Sequence, residues 1–491
     1  MGENARGWYA VSRKLIAVPV VAVLVLVMAS GIHAFAAGTE EGGPPGFVVR
    51  DGEIYDAQGR IAYFRGVNVG GNAKVAPDHL PFQPNETQWW DYLKAWGFNL
   101  VRFTVFWEGI EPVKGHFDRV YLGKVKRLLE EAGKRGIYVM VDMHQDLYSR
   151  WLHGDGAPAW AVWEAGACPY FNFSFGGQFW GLANVLSPAV VRCFTNFWRS
   201  DDLKLHYKSA LVEVARQLKD NPYVLGYDVY NEPNPGGNVN TNGEYENGLL
   251  APLYQDVLSE IRKVDPDSLG FVEPDSIDMH SSKFTEGTFK MDRLVYAPHN
   301  YDFISNTLRF QILPSDQIYR QNHASDVAKA RQLGMPLWIG EFGAPWGMNP
   351  AGTHDRMLDD MYRVLESGFT SNALWDYSVR DVAAWNEEDY SLIDQNGRPR
   401  GLVEAVRPWV RRLAGSPVSQ SFDKNTKVYS LEFTGVTGPQ PTVVYVPEAE
   451  QYPGGFKVGL SDGSWEYRKE SNELVYRPGR AGAHRLTIRQ R

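Results

Sequence analysis

Between residues 47 and 415, short runs rich in β-branched and aromatic residues alternate with amphipathic stretches, and this alternation restricts the chain more than any other feature. Strands that recur with a helix between them pack as a parallel sheet covered by helices. The strand-like runs fall at 62–69, 100–106, 138–143, 224–229, 270–272, 294–297, 337–339 and 373–375. Helical periodicity marks 87–95, 122–134, 203–218, 253–264, 324–332, 356–365 and 402–413. The pattern predicts an α/β fold, a (β/α)8 TIM barrel over 47–415, larger than the usual size of about 250 residues because its loops are long. Beyond the breaker Gly415-Ser416-Pro417 the periodicity stops. Runs at 428–433, 442–446, 455–460, 473–476 and 484–488 read as short strands between Gly, Pro and Asn turns, a small C-terminal all-β sandwich over 416–491.

Residues 1–36 read as a signal peptide: Arg6, Arg13 and Lys14 precede an apolar stretch at 15–28, and small residues surround Ala34-Phe35-Ala36. That stretch is shorter than the roughly 20 residues a membrane span needs and contains Pro19, so secretion is expected rather than an anchor. Residues 37–46 form a Gly/Pro/Glu-rich linker. The two cysteines, Cys168 and Cys193, share one loop-rich region, and in an oxidising compartment such a pair can bridge. No His cluster accompanies them to make a zinc site. A net charge of -8 offers no basic surface for nucleic acid.

In such a barrel the active site lies at the C-terminal ends of the strands, and that filter selects a coherent set. Strand two carries Arg102; strand three runs into Asp142-Met143-His144-Gln145-Asp146, strand four into Asn231-Glu232-Pro233, strand six into His299-Asn300-Tyr301, strand seven into Gly340-Glu341 and strand eight into Trp375. Two carboxylic acids among Arg, His, Asn, Tyr and Trp are the equipment for cleaving a glycosidic bond, which needs a proton for the leaving oxygen and electron density at the anomeric carbon. Arg102 and Tyr301 would keep Glu341 ionised as nucleophile, and Glu232, desolvated beside that charge, would stay protonated as acid/base. Asn231 is placed to bond the sugar 2-hydroxyl, His144 and His299 to orient acid or sugar, and Trp375 to floor the ring. Glu273 also follows a strand and is read as supporting these groups; Glu108 and Glu111 are read as loop or rim residues. Asp142 is expected to point away from the face of His144 and to serve structure.

The ordered set Arg102, His144, Asn231-Glu232-Pro233, His299-x-Tyr301, Glu341 and Trp375 resembles glycoside hydrolase family 5, whose members are retaining enzymes on a TIM barrel. A finer likeness is to its endoglycoceramidase-like branch, carried by Arg65-Gly66-Val67-Asn68 leading to Ala73-Lys74, by the stretch from Asp142 to Asp146, by Tyr227-Asp228-Val229-Tyr230-Asn231-Glu232-Pro233, and by the all-β tail. The resemblance implies that Lys74 and Asp146 bind the sugar joined to ceramide. It also implies that the carboxyl groups of Glu232 and Glu341 stand about 5 to 5.5 Å apart, and that no cofactor or metal is needed. Val69-Gly70-Gly71-Asn72 stands where members acting on glucosylceramide-linked glycans carry a Ser-rich turn, so glucose and galactose both stay open as the first sugar.

Residues 147–199 form an unusually long connection dense in Trp, Tyr and Phe, including Phe179 and Trp180. Such a segment packs on itself or walls a groove for lipid tails. The reading is therefore a secreted retaining endo-β-glycosidase whose partner is a glycosphingolipid, with transient contact to a lipid micelle or membrane surface. The alternatives are an endo-β-glucanase acting on polysaccharide and a non-catalytic glycolipid-binding surface protein.

Overall fold

A computed structural model describes residues 46–166, 175–435 and 440–491. The leader at 1–36 and Cys168, and with it the bridge to Cys193, lie outside the described residues; Cys193 is buried on the helix Pro188–Arg199.

Eight parallel strands build the barrel: β1 (Arg65–Val69), β2 (Leu100–Phe106), β3 (Tyr138–His144), β4 (Val224–Asp228), β5 (Leu269–Val272), β6 (Leu294–Tyr296), β7 (Trp338–Phe342) and β8 (Ser371–Leu374). Their order is β7-β8-β1-β2-β3-β4-β5-β6. The two outer strands meet through the parallel bridges Tyr296↔Leu337 and Asn300↔Phe342, which bring the sheet round on itself.

Along each strand the inward side chains change character. Near the strand starts, Phe64, Leu100, Met140, Phe271, Val295 and Trp338 form one apolar cluster, joined by Phe47 and Ile54 from an N-terminal hairpin. Toward the C-terminal ends the inward positions become Asn68, Arg102, Asp142, Asp228, Glu273 and Glu341, all buried. Burial of the first set supplies the hydrophobic stabilisation. The second set is retained at a desolvation cost and must find its partners inside the barrel.

The β-sandwich begins before the barrel ends. Strands Val48–Arg50, Glu53–Tyr55 and Ile61–Ala62 join Trp409–Leu413, Thr442–Tyr445, Glu473–Arg477 and Ser464–Arg468 in one seven-stranded sheet. Gly415–Asp423, Val428–Gly435, Gly482–Gln490 and Phe456–Leu460 form a four-stranded antiparallel sheet. Phe433 of one sheet meets Tyr476 of the other edge-on at 5.8 Å. The helix expected over 402–413 is shorter: it covers Leu402–Ala405 only, and Trp409–Leu413 is a strand. The helix ends at Ala405, the chain turns extended at Val406, and Pro408, which has no N–H to give, prevents the helix from resuming.

Arg407 then ties the sandwich to the barrel. Its Nε and Nη2 reach the two carboxylate oxygens of Glu366 at 2.8 and 3.0 Å, and Arg65 meets Glu366 at 3.1 Å from the barrel side.

Candidate active site

Arg102 organises the site. It has no exposed surface and spends its whole fork on neighbours: Nη1 on Glu341 at 2.7 Å and Asn68 at 3.0 Å, Nε on Asp228 at 2.9 Å, and Nη2 on Asn231 at 2.8 Å, Asp142 at 3.0 Å and Glu273 at 3.1 Å. A planar, permanently charged guanidinium suits this many acceptors as no lysine could. Asp142 corrects the sequence expectation: residues two apart on a strand share a face, and its Oδ2 takes the His144 Nδ1–H at 2.7 Å while Oδ1 faces Arg102. Glu111 is also not a rim residue; it is buried, accepting from Trp107 Nε1 at 3.0 Å and the Gly115 N–H at 2.7 Å.

Glu341 sits where β7 carries one extra residue relative to β8, between the pairs Ile339↔Asn372 and Phe342↔Leu374. Such a bulge re-aims the side chain it carries. Oε1 takes the Arg102 bond, and Oε2 accepts the Tyr301 hydroxyl at 2.9 Å. Burial opposes its charge, but the positive charges of His299 and Arg102 outweigh it and hold the carboxyl below the usual carboxylate range. Gly340 beside it has no side chain; a Cβ there would stand 3.0 Å from the His299 ring.

Glu232 lies opposite, with φ of 42°, a left-handed conformation that a glutamate adopts only when its surroundings impose it. They do: Gln145 Nε2 donates to the carbonyls of Asn231 and Glu232 at 2.9 and 3.0 Å, and the Glu232 N–H donates to Glu273 at 2.9 Å. Its Oε1 pairs with His299 Nδ1 at 2.8 Å. Burial raises the pKa of Glu232, and its contact with His299 only partly offsets this. His299 itself is held charged: burial works against it, but Glu273 and Glu341 prevail and raise its pKa well above the ordinary value. Oxygen atoms of Glu232 and Glu341 and a ring nitrogen of His299 all lie within 4.8 Å of one another. That separation fits two carboxyl groups about 5 to 5.5 Å apart and falls short of the roughly 6.5–9.5 Å that admits a water between them.

On the far side of the barrel mouth, the turn Val69-Gly70-Gly71-Asn72 brings in Lys74. A Cβ at Gly71 would collide with the Asp376 carboxylate that follows β8 and one at Gly70 with the Thr104 hydroxyl of β2, so only glycines let the chain leaving β1 pass between its two neighbours. Lys74 Nζ meets Asp146 Oδ2 at 2.7 Å and Glu388 Oε2 at 3.4 Å, and it lies 4.4 Å from the ring centre of Trp375. His144 stacks on Trp375 at 5.4 Å. Burial disfavours the His144 charge, but Asp142 and Asp146 raise its pKa to about 10.

One cavity of about 440 Å³ unites these groups. Lys74, His144, Asp146, Asn231, Glu232, His299, Tyr301, Glu341 and Trp375 line it, and Arg102 lies beneath Glu341. Asn231 spends its oxygen on Arg102 and one N–H on the Gln145 carbonyl at 2.9 Å. The same lining carries apolar side chains, Leu182, Val185, Ile277, Met279 and Phe303, alongside polar ones that include Gln178, Asn184, Ser276, Asn306 and Arg309. Apolar side chains continue outside as Phe179, Leu186, Ile304, Leu308, Phe310 and Ile312, all exposed.

The aromatic connection divides accordingly. Phe194, Phe197 and Trp198 pack into the core, whereas Trp180 lines the cavity. Among the described residues two clusters hold metal-ligand atoms within 4.8 Å, His144-Asp146-Asp155 and Glu232-His299-Glu341. In the first, the Lys74 ammonium already stands against Asp146; in the second, a charged imidazole has no lone pair to give. Asn68, Asp142, Asp228, Trp180, Trp385 and Glu388 are the contributors that strand-end reasoning missed. For Asp142 and Asp228 the signal was there, since both share the inward face of their strands.

Residues 55–381 match the family model described as Cellulase (glycosyl hydrolase family 5), and residues 407–489 match the glycoside hydrolase family 5 C-terminal domain. An endoglycoceramidase of Hydra vulgaris is 24% identical over 86% of this chain and 84% of its own length. Endoglycoceramidase I of Rhodococcus hoagii (strain 103S) is 24% identical, covering 84% of this chain and 81% of its own. Among solved structures, endo-glycoceramidase II from Rhodococcus sp. in complex with ganglioside GM3 superposes with a TM-score of 0.76 at 26% identity, over 90% of this chain and all of that one. A sterylglucosidase of Cryptococcus neoformans shares the fold, with a TM-score of 0.77 at 16% identity.

Proposed function

The chain belongs to glycoside hydrolase family 5, and from that premise we propose that it is a retaining endo-β-glycosidase that hydrolyses the bond between glycan and ceramide in glycosphingolipids. The observation that carries this reading is the mixed lining of the cavity that holds both carboxyls: charged and aromatic groups at Lys74, Asp146 and Trp375, and apolar side chains at Leu182, Val185, Ile277, Met279 and Phe303, the last of them opening the exposed apolar run at 303–313. The names of the relatives support the same substrate class.

In this reading ionised Glu341 attacks the anomeric carbon while Glu232 delivers its proton to the departing ceramide oxygen, which leaves a glycosyl ester on Glu341. Glu232, now a carboxylate, takes a proton from water as that water attacks the same carbon and releases the glycan with its β configuration. Glu232 can hold its proton because burial disfavours its charge, and Glu341 can stay ionised because Arg102, Tyr301 and His299 surround it.

The exposed apolar stretch from Phe303 to Leu313, continuous with the cavity mouth, supports transient docking on a micelle or membrane surface. Among the described residues no helix is long and apolar enough to cross a membrane. The leader composition at 1–36 supports secretion as part of the proposal.

The test compares one glycan carried on ceramide, on a short alkyl chain and on no lipid, in wild type, Phe303→Ser and Ile277→Ser. Each buried methylene contributes about 0.8 kcal/mol, so a few contacted carbons give a severalfold or greater preference for ceramide that shrinks in both variants. Equal efficiency on all three carriers, or a preference for soluble polysaccharide, would remove the glycolipid assignment.

A further inference from the structure

Glu388 stands outside the strand-end constellation, yet its loop is built to aim it there. Arg400 pairs with the Asp389 carboxylate, the Trp346 N–H donates to the Asp389 carbonyl at 2.7 Å, and Arg309 Nη2 donates to the Glu387 carbonyl at 2.7 Å. Asn386 and Glu387 hold φ of 46° and 60°, a reversal that these anchors enforce. The result places Glu388 Oε2 at 3.4 Å from Lys74 Nζ, while Oε1 accepts the Trp180 indole N–H at 2.9 Å. Trp180 meets Trp385 at 4.7 Å, and the Lys74 ammonium lies 3.9 Å from the Trp385 ring centre.

Lys74 already has Asp146 at 2.7 Å, so charge balance does not call for a second carboxylate. Glu388 instead adds an acceptor to the cavity wall beside Trp375. Burial raises its pKa to about 7 despite Lys74, a penalty consistent with a group kept for something that enters the cavity. An ammonium only donates and a carboxylate only accepts. Two neighbouring hydroxyls, one accepting and one donating, satisfy both at once.

We propose that Glu388 is a specificity-determining, substrate-binding residue: its carboxylate accepts a hydroxyl of the sugar seated against Trp375 while Lys74 donates to the adjacent one. Changing the configuration at either carbon takes one hydroxyl out of reach, so the pair discriminates between sugar epimers. Trp180, on the same carboxylate, closes the wall over that sugar. This rests on the glycosidase reading above.

The experiment measures kcat/KM for an aryl β-glycoside and a set of monodeoxy counterparts, each lacking one ring hydroxyl, in wild type, Glu388→Ala and Glu388→Gln. Wild type loses about ten- to a hundredfold on at least one deoxy substrate, the size of a hydrogen bond to a charged group. In Glu388→Ala the same deletion costs no more than about twofold, because the partner is already gone. Glu388→Gln keeps the volume and an acceptor for Trp180; should the alanine variant not fold, a reduction of that penalty by about threefold or more in the glutamine variant decides the matter. Penalties that are identical in wild type and variants for every hydroxyl overturn the inference and leave the glycosidase reading intact. A wild type that cleaves no glycoside overturns both.

Discussion

Tyr301→Phe deletes one hydroxyl from the surroundings of Glu341. That hydroxyl donates to Oε2 at 2.9 Å, while Oε1 keeps its 2.7 Å bond to Arg102. A hydrogen bond to a charged group contributes about 1.5–3 kcal/mol, and one pKa unit corresponds to about 1.4 kcal/mol, so the ionised form stands to lose the equivalent of about one to two units. Two features favour the lower end: His299 Nδ1 remains 3.5 Å from Oε2, and the cavity gives water access to the freed oxygen. The sign follows from the direction of the native shift. Glu341 acts ionised and is held below the usual carboxylate range. Losing a donor raises its pKa, and the acid limb of kcat/KM moves up by about one pH unit. The alkaline limb, set by proton loss from Glu232, stays in place. The assay is a pH profile of kcat/KM on an aryl β-glycoside for both proteins, with circular dichroism to establish that the variant is folded. A folded variant with an unmoved acid limb refutes the assignment of Glu341 as the group that must ionise.

Arg102→Met leaves the four carboxylates of Asp142, Asp228, Glu273 and Glu341 facing an apolar side chain in place of the cation they share, and breaking such a buried arrangement costs about 3–5 kcal/mol; urea unfolding measures it. Arg102→Lys keeps the charge but loses the fork, so it loses less stability, and its acid limb moves upward as in Tyr301→Phe. Glu232→Ala should nearly abolish hydrolysis of glycolipid while retaining turnover of a substrate with a good leaving group, and azide should accelerate it to give a β-glycosyl azide detectable by mass spectrometry and NMR. Arg407→Met removes the bidentate link to Glu366 between sandwich and barrel. We expect a loss of about 3–5 kcal/mol by urea unfolding, with the ratio of activities on different glycosides unchanged.

Much of the barrel was legible because each strand is a short apolar, β-branched run, and much of the site because strand ends in this architecture converge. Asn231 and Glu341 stand out as polar residues where an apolar run breaks off, and Arg102 as a charge inside one. Pairing between distant segments left no such trace: Ile61–Ala62 finds Trp409–Leu413 across the whole barrel, with Arg412 opposite Ala62. The strand after Pro408 was hidden by a helical spacing of apolar residues that the proline interrupts. Asp142 follows the strand period of two, which puts it on the face of His144, beneath the site. Glu388 sits in an irregular loop with no periodicity, and its partner Lys74 lies 314 residues away, so only the folded chain brings them together. The aromatic connection could not be apportioned from composition, because Phe197 and Trp180 look alike in sequence and differ in what surrounds them.

The central claim is retaining release of an intact glycan from ceramide. It is tested most directly by following, by proton NMR, the incubation of wild-type protein with lactosylceramide and with a galactosylceramide-based oligosaccharide lipid. The account predicts that at least one of them yields free ceramide and the whole oligosaccharide, with the β-anomer appearing first and the α-anomer growing in only by mutarotation. Initial appearance of the α-anomer, stepwise loss of single sugars from the outer end, or no ceramide released from either lipid would contradict it.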